Sequence, residues 1–323
     1  MTWKLAPVDS VEVTILVDNV SDALLAPTAV AARPRLTLDC ERDQLLAEHG
    51  YSVLVTVGVA GNRETILYDA GFTKNTAIHN LDVLQQPVNH LRAIVLSHGH
   101  ADHHGGLVGM VSRVGRRGLP LVLHPDAWLD RKLIFPDGTE VAAPPPSRMD
   151  LDREGVQLIE ERGPTLLLDD HVLITGQVER VTDFEPGFPI QYRRSSRGWE
   201  PDFLVADDQG VIINVRDRGL VVLSSCSHAG VVNVLLNARR ITGVEKVHAF
   251  IGGCHLSGAL MEPVIPRTME EFVKLGLDWI VPGHCTGWKA THALARLMPE
   301  AFVQSSVGTR LWFASVPTRD HPR

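Results

Sequence analysis

The stretch SHGHADHHGG, Ser97 to Gly106, sets four histidines and one aspartate between His98 and His104. It follows the apolar run LRAIVL directly, a segment whose pattern is that of a short buried strand rather than a helix. Where the chain breaks out of extension, His98 and His100 can turn toward one point, and Asp102 and His103 toward a second point close by. Gly99 and Gly105 are expected to supply the backbone freedom such a loop needs. Neutral imidazoles with a carboxylate suit zinc, iron or manganese better than calcium or magnesium. A catalytic ion takes roughly three protein ligands and keeps a position for water. Two ions sharing His98, His100, Asp102 and His103 are therefore short of about two ligands.

Candidates for the missing donors stand at the ends of later strand-like runs: His228 in LSSCSHAG, His255 in FIGGCHL and His284 in VPGHCTG. Each has a small residue or a cysteine beside it, and in α/β sheets ligands gather where strands end.

The rest of the chain reads as strands interleaved with helices in both halves. VEVTILVDN, YSVLVTVGV and ETILYDAG are strands, the last two joined at a Gly61–Asn62 turn. Later come GGLVGMVSRV as a helix start, LPLVLHP and HVLITG as strands, and three strands within DFLVADDQGVIINVRDRGLVVLSSCSH. AGVVNVLLNARRITG is a helix ending at Gly243, followed by VHAFIGG, RTMEEFVKLGL, DWIVPGH and THALARLM in alternation. The Pro-rich region at about 126–163 is expected to be an irregular insertion or lid, and the basic segment YRRSSRGW (Tyr192–Trp199) a solvated loop. With 323 residues, 44% of them hydrophobic, the chain has material for one large domain over 1–323. The pattern fits an α/β fold of two packed β-sheets with helices outside.

Several functional classes recede on composition. A net charge of −7 disfavours a nucleic-acid groove. No apolar run is long enough for a membrane helix, and the N-terminus lacks the features of a secretion signal. Cys40, Cys226, Cys254 and Cys285 show no disulfide-scaffold spacing. A cytoplasmic protein is the expectation, without membrane or nucleic-acid partners; homo-oligomerisation stays open.

HGHADH matches the H-x-H-x-D-H motif of the metallo-β-lactamase fold superfamily, and LYDAG (Leu67–Gly71) is similar to its upstream aspartate–glycine turn. EHGYSVLV, ITGQVERVTDFE, ADDQGVIINVRDRGLVVLSSCSHAGVVN, IGGCHL and PGHCTG extend the likeness over most of the chain. Together they resemble the 7,8-dihydropterin-6-methyl-4-(β-D-ribofuranosyl)aminobenzene 5′-phosphate synthase-like branch. The resemblance implies an αββα sandwich of two mixed β-sheets flanked by helices, with two divalent ions at its edge, zinc first and manganese or iron as alternatives. His98 and His100 would bind one ion, Asp102 and His103 the other. His228 and His284 would complete the shells, His255 would face the substrate, and His104 would pack structurally. The resemblance also implies a bridging aspartate at the end of LVVLSS, where this chain has Cys226 and Ser227 instead. Asp207 or Asp208 in ADDQG would compensate only if drawn inward, and a solvated turn is the expected place for both.

The chemistry that follows is a metallohydrolase acting on a phosphate ester or similar anionic small molecule through a metal-bound hydroxide. Asp102 would ligate and orient the nucleophile, and His255 would donate a proton or contact the anion. Ser227, with Cys226 beside it, would bind substrate at a helix N-terminus, a natural place for phosphate. Two alternatives share the site: a transferase joining a dihydropterin pyrophosphate to an aminobenzene ribose phosphate, and a metal-dependent binding protein without turnover. Oxygen or nitric-oxide reduction, a secreted β-lactamase and a ribonuclease fit less well.

Overall fold

The β-branched runs pair into two large sheets in the computed structural model, which describes residues 2–316. The first sheet has eight strands, in the spatial order Ala31–Ala32, Arg310–Ala314, Ser10–Val17, Ser52–Val59, Asn62–Tyr68, Ala93–Val95, Pro120–Leu123 and Gln157–Glu160. The second has six: Thr165–Leu167, Val172–Ile174, Val211–Val215, Gly219–Ser224, Val247–Gly252 and Trp279–Pro282. Both are mixed, with antiparallel pairing on one side and parallel pairing on the other. Their facing surfaces supply one apolar layer, including Val13, Val55, Val95, Ile213, Val221 and Ile251, each at most 1% exposed. Helices Thr76–Val83, Leu107–Val114 and Arg148–Glu154 contribute Leu81, Met110 and Leu151 to a second layer outside the first sheet. Helices Val231–Thr242, Ile265–Leu275 and Trp288–Leu297 contribute Leu235, Phe272 and Leu294 to a third, outside the second sheet. The architecture is the four-layered αββα sandwich. Each fully buried Val, Leu, Ile or Phe in these layers contributes roughly 1.5–3 kcal/mol, so the sandwich holds its strand ends firmly.

Those strand ends matter because the parallel strands finish at one level. Tyr68 pairs with Val95, and Ser224, Gly252 and Pro282 lie in one row across three neighbouring strands. Tyr68 Oη joins the two sheets at this edge, donating to Gln209 O (2.7 Å) and accepting from Ser225 N (3.3 Å). No described helix is long and apolar enough to cross a membrane.

Local differences from the sequence reading have identifiable causes. The hairpin turn falls on Ala60 and Gly61, both at positive φ, because Val59 pairs with Asn62. DFLVA forms no strand, so its region supplies two strands rather than three. Residues 126–163 are largely regular: strands Arg131–Ile134 and Glu140–Ala143, a helix, and the strand closing the edge of the first sheet. YRRSSRGW is likewise a hairpin, Gln191–Ser195 with Gly198–Pro201, and joins the first two of these strands in a third, four-stranded sheet.

A buried ion-pair network anchors this small sheet. Arg131 is fully buried and donates to Asp202 Oδ2 (2.8 Å) and to Asp207 Oδ1 (2.6 Å). Asp207 also accepts from Gly99 N (2.9 Å), inside the histidine loop. Burial opposes the charge on Arg131, but Asp207 and Asp202 overcome it and hold the guanidinium above its ordinary pKa. Replacing Arg131 with methionine strands two buried carboxylates, a loss of about 3–5 kcal/mol. The expected outcome is a lower urea midpoint at unchanged slope, read by circular dichroism.

Candidate metal centre

The loop after Ala93–Val95 is held from below by Asp69, which sits at φ +59 just past the end of Asn62–Tyr68. Its carboxylate accepts from Ser97 N (2.7 Å) and Ser97 Oγ (2.8 Å) and faces His103 Nδ1 at 2.7 Å. The glycines of the loop serve close approach rather than unusual φ. A Cβ on Gly105 would lie 1.7 Å from the Phe72 carbonyl oxygen, and one on Gly99 would lie 2.3 Å from that of Ala127.

Two groups of donors meet above this floor. In the first, His98 Nε2 is 2.9 Å from His100 Nδ1 and 3.2 Å from His228 Nε2. In the second, Asp102 Oδ2 is 3.5 Å from His103 Nε2 and 3.2 Å from His284 Nε2, with His49 Nε2 at 3.6 Å. The His98 and His103 ring centroids are 4.3 Å apart, so the groups adjoin. Cys226 Sγ lies 3.3 Å from His103 Nε2. His255 stands beside the first group at φ +49, its ring 4.2 Å from His228 and 4.7 Å from Phe188, with neither nitrogen hydrogen-bonded.

This donor set fits metal ions. Tetrahedral ligands at about 2.0–2.1 Å from zinc lie roughly 3.3 Å from one another, and the separations above straddle that value. The nitrogen turned away from the cluster is engaged on four of the rings. His98 Nδ1 faces Ser97 Oγ (2.8 Å), whose own proton goes to Asp69, and His100 Nε2 bonds Gln191 Oε1. His103 Nδ1 faces Asp69, and His284 Nδ1 faces Asn19 Oδ1 (3.3 Å). Such partners take the ring proton and leave the inner nitrogen bare for a cation. On His228 the outer nitrogen has no partner. His284 Nε2 makes no hydrogen bond although Asp102 Oδ2 is near, the arrangement of two donors aimed at a common third body.

The electrostatics differ between the groups: burial opposes a charge on His103, but Asp102 and Asp69 outweigh it and hold that ring well above the ordinary imidazole pKa. Burial, with neighbouring rings, holds His98 and His228 well below the ordinary imidazole pKa, and burial takes His100 to about 4. Burial pushes Asp102 upward, but His103 and His284 outweigh it and keep the carboxyl well below its usual range.

The remaining sequence candidates fall in different places. His104 is turned away, its Nε2 at 3.2 Å from Pro144 O. Ser227 Oγ is buried and donates to Gly253 O (2.7 Å), so it faces the fold and not a ligand. The helix N-terminus after it is also taken: Val232 N and Asn233 N donate to the Glu185 carboxylate at 2.8 and 2.9 Å. Asp207 and Asp208 are buried rather than solvated. Asp207 pairs with Arg131, whereas Asp208 accepts from His228 N (2.5 Å) and is pushed up to about 8 by burial.

Residues not singled out from sequence include Asp18 and Asn19, which hold His284 through its backbone N–H (2.8 Å) and its ring. The polar pair ending VEVTILVDN was the available signal. His49, Phe188 and Gln191 carry none, since their roles come from tertiary placement. Asp69→Asn keeps the shape but weakens the acceptor that orients His103. Zinc affinity is expected to fall about 10–100-fold, measured by chelator competition, with little change in far-UV circular dichroism.

Three likenesses to known proteins accompany this geometry. The 7,8-dihydropterin-6-methyl-4-(beta-D-ribofuranosyl)-aminobenzene-5'-phosphate synthase of Methanocaldococcus jannaschii is 29% identical over 273 residues, covering 83% of this chain and 90% of the relative. The uncharacterized protein MJ0448 of the same organism is 29% identical over 269 residues, covering 82% of this chain and 93% of the relative. The crystal structure of Tm1679, described as a metal-dependent hydrolase of the beta-lactamase superfamily, superposes with a TM-score of 0.71 at 21% identity, over 94% of this chain and 100% of that one. That last likeness carries the fold. A sequence profile of the metallo-beta-lactamase superfamily matches residues 47–188, which contain Asp69 and the whole histidine loop. With the αββα sandwich and the donor cluster at its strand ends, the chain has the metallo-beta-lactamase fold, and its residues 47–188 match that superfamily's profile.

Proposed function

We propose that this protein is a metal-dependent enzyme with a two-ion centre, zinc first among the candidates, that hydrolyses a phosphate-ester-type bond in an anionic small molecule. The observation that carries the proposal is the convergence of His98, His100 and His228 beside Asp102, His103 and His284, with inner donor atoms 2.9–3.5 Å apart. Divalent ions held there would make water a stronger acid and offset negative charge building on substrate oxygens. The chain's own groups would do the positioning. Asp102 lies between two imidazoles and fixes the approach of the attacking group. His255 keeps both ring nitrogens free of hydrogen bonds, so either is available to pass a proton to a departing oxygen. Phe188 packs against the His100, His228 and His255 rings and excludes water on that side.

A second reading is group transfer, joining a dihydropterin unit to an aminobenzene ribose phosphate. What favours it is the synthase from M. jannaschii, similar over 90% of its own length. The same donors would then offset charge on the leaving pyrophosphate.

The zinc-loaded chain is expected to turn over phosphate mono- or diester reporters, to lose this on chelation, and to regain it with added zinc. His98→Ala should lower kcat/KM by roughly a thousandfold, about 4 kcal/mol of barrier. Product formed only when a dihydropterin pyrophosphate and the aromatic amine are supplied together would establish the second reading. Metal content under one equivalent, with ligand binding indifferent to chelation, would overturn both in favour of a binding protein.

A further inference from the structure

The strand Gly219–Ser224 runs into Cys226 where the sequence resemblance implies a bridging aspartate. Cys226 Sγ is buried at the centre of the cluster. It lies within 4.8 Å of donor atoms from the first group, on His98 and His228, and from the second, on His103 and His284. Cys285 Sγ also lies within 4.8 Å of Cys226 Sγ and a His284 ring nitrogen and donates to Cys226 O at 3.5 Å, but among the rings it shares a donor group with His284 alone, whereas Cys226 shares one with rings of both groups. The nearby carboxylates face other atoms, although Asp208 Oδ1 makes no hydrogen bond. Asp207 is locked to Arg131 and Gly99 N. Asp208 accepts from His228 N and approaches His98 at Nδ1 (3.8 Å), on the ring edge opposite the nitrogen shared with His100 and His228.

We propose that Cys226 supplies a thiolate ligand between the two ion positions, in place of the bridging carboxylate. The proposal rests on the metal-centre reading above. A coordinated thiol is deprotonated outright, so the substitution keeps one negative charge at the centre. It also changes the ligand's character, because thiolate selects softer ions such as zinc over magnesium, calcium or manganese.

Cobalt(II) loading of the metal-free full chain tests this through a readout independent of activity. A near-ultraviolet sulfur-to-cobalt charge-transfer band is expected in the wild-type chain. It should persist in the combined Cys40→Ser, Cys254→Ser, Cys285→Ser variant, where Cys226 is the remaining thiol. It should vanish in Cys226→Ser, whose cobalt content falls from about two ions per chain toward one. Cys226→Asp should bind about two ions without the band. Two bound cobalt ions with no band in the wild-type chain, or a band surviving in Cys226→Ser, would overturn the thiolate assignment and leave the metal centre standing. Should Cys226→Ser not fold, loss of the band in the triple-serine variant would overturn it equally. A wild-type chain that takes up no cobalt would overturn the metal-centre reading, and this inference with it.

Discussion

An imidazole can hold a cation only through a nitrogen that carries no proton, and every other feature of this site depends on that requirement. A histidine alone in solution has no fixed preference between its two nitrogens. Here Ser97, Gln191, Asp69 and Asn19 each stand behind one ring and engage its outer nitrogen. Burial then keeps the His98, His100 and His228 rings neutral. The fold thus sets orientation and protonation together, before any ligand arrives.

The small third sheet takes part in this arrangement. Gln191, on its central strand, accepts from His100 and donates to Asp202 Oδ2 (3.0 Å). Asp202 accepts from Arg131, Arg131 also holds Asp207, and Asp207 returns to Gly99 in the loop. A closed circuit of buried polar groups therefore connects a segment that reads as an insertion to one of the donor rings. Such a network costs desolvation and tolerates no missing member. That makes the third sheet part of the site's frame, where a mobile lid would leave His100 without its partner.

What was legible in the sequence follows the range of the interaction that sets it. H-x-H-x-D-H is local, and its strand-then-loop context is written in the apolar run before it. His228, His255 and His284 were legible because each follows a buried strand, and parallel strands in register bring such positions to one edge. The helix N-terminus after Ser227 misled for the opposite reason. Its free N–H groups are a generic invitation to an anion, and the anion that answers is Glu185, from a different part of the chain. Asp207 and Asp208 misled in the same way, since ADDQG has the composition of a solvated turn and only Arg131 and His228, far off in sequence, draw it inside. Within residues 126–163 the strands Arg131–Ile134 and Glu140–Ala143 pair with each other, but the first also pairs with residues 191–193, and that long-range partner is beyond the reach of any local pattern.

Convergence on this scale is expensive without a cation. Seven imidazoles, an aspartate and two thiols crowd together, and His228 Nδ1 and both nitrogens of His255 lack partners. Unpaired buried polar atoms of this kind cost about 1–3 kcal/mol each. Nothing in folding alone favours gathering them, and an apolar plug of equal volume would be the more stable choice. The three apolar layers supply enough stability to carry the cost, and the cost is placed at the strand ends, where the sheets are already fixed. A ligand that binds the folded chain and not the unfolded one would recover part of it through linkage. The site therefore gathers unsatisfied polar atoms at strand ends that the apolar layers already fix, and that placement lets the donors stay aimed at one another while unsatisfied.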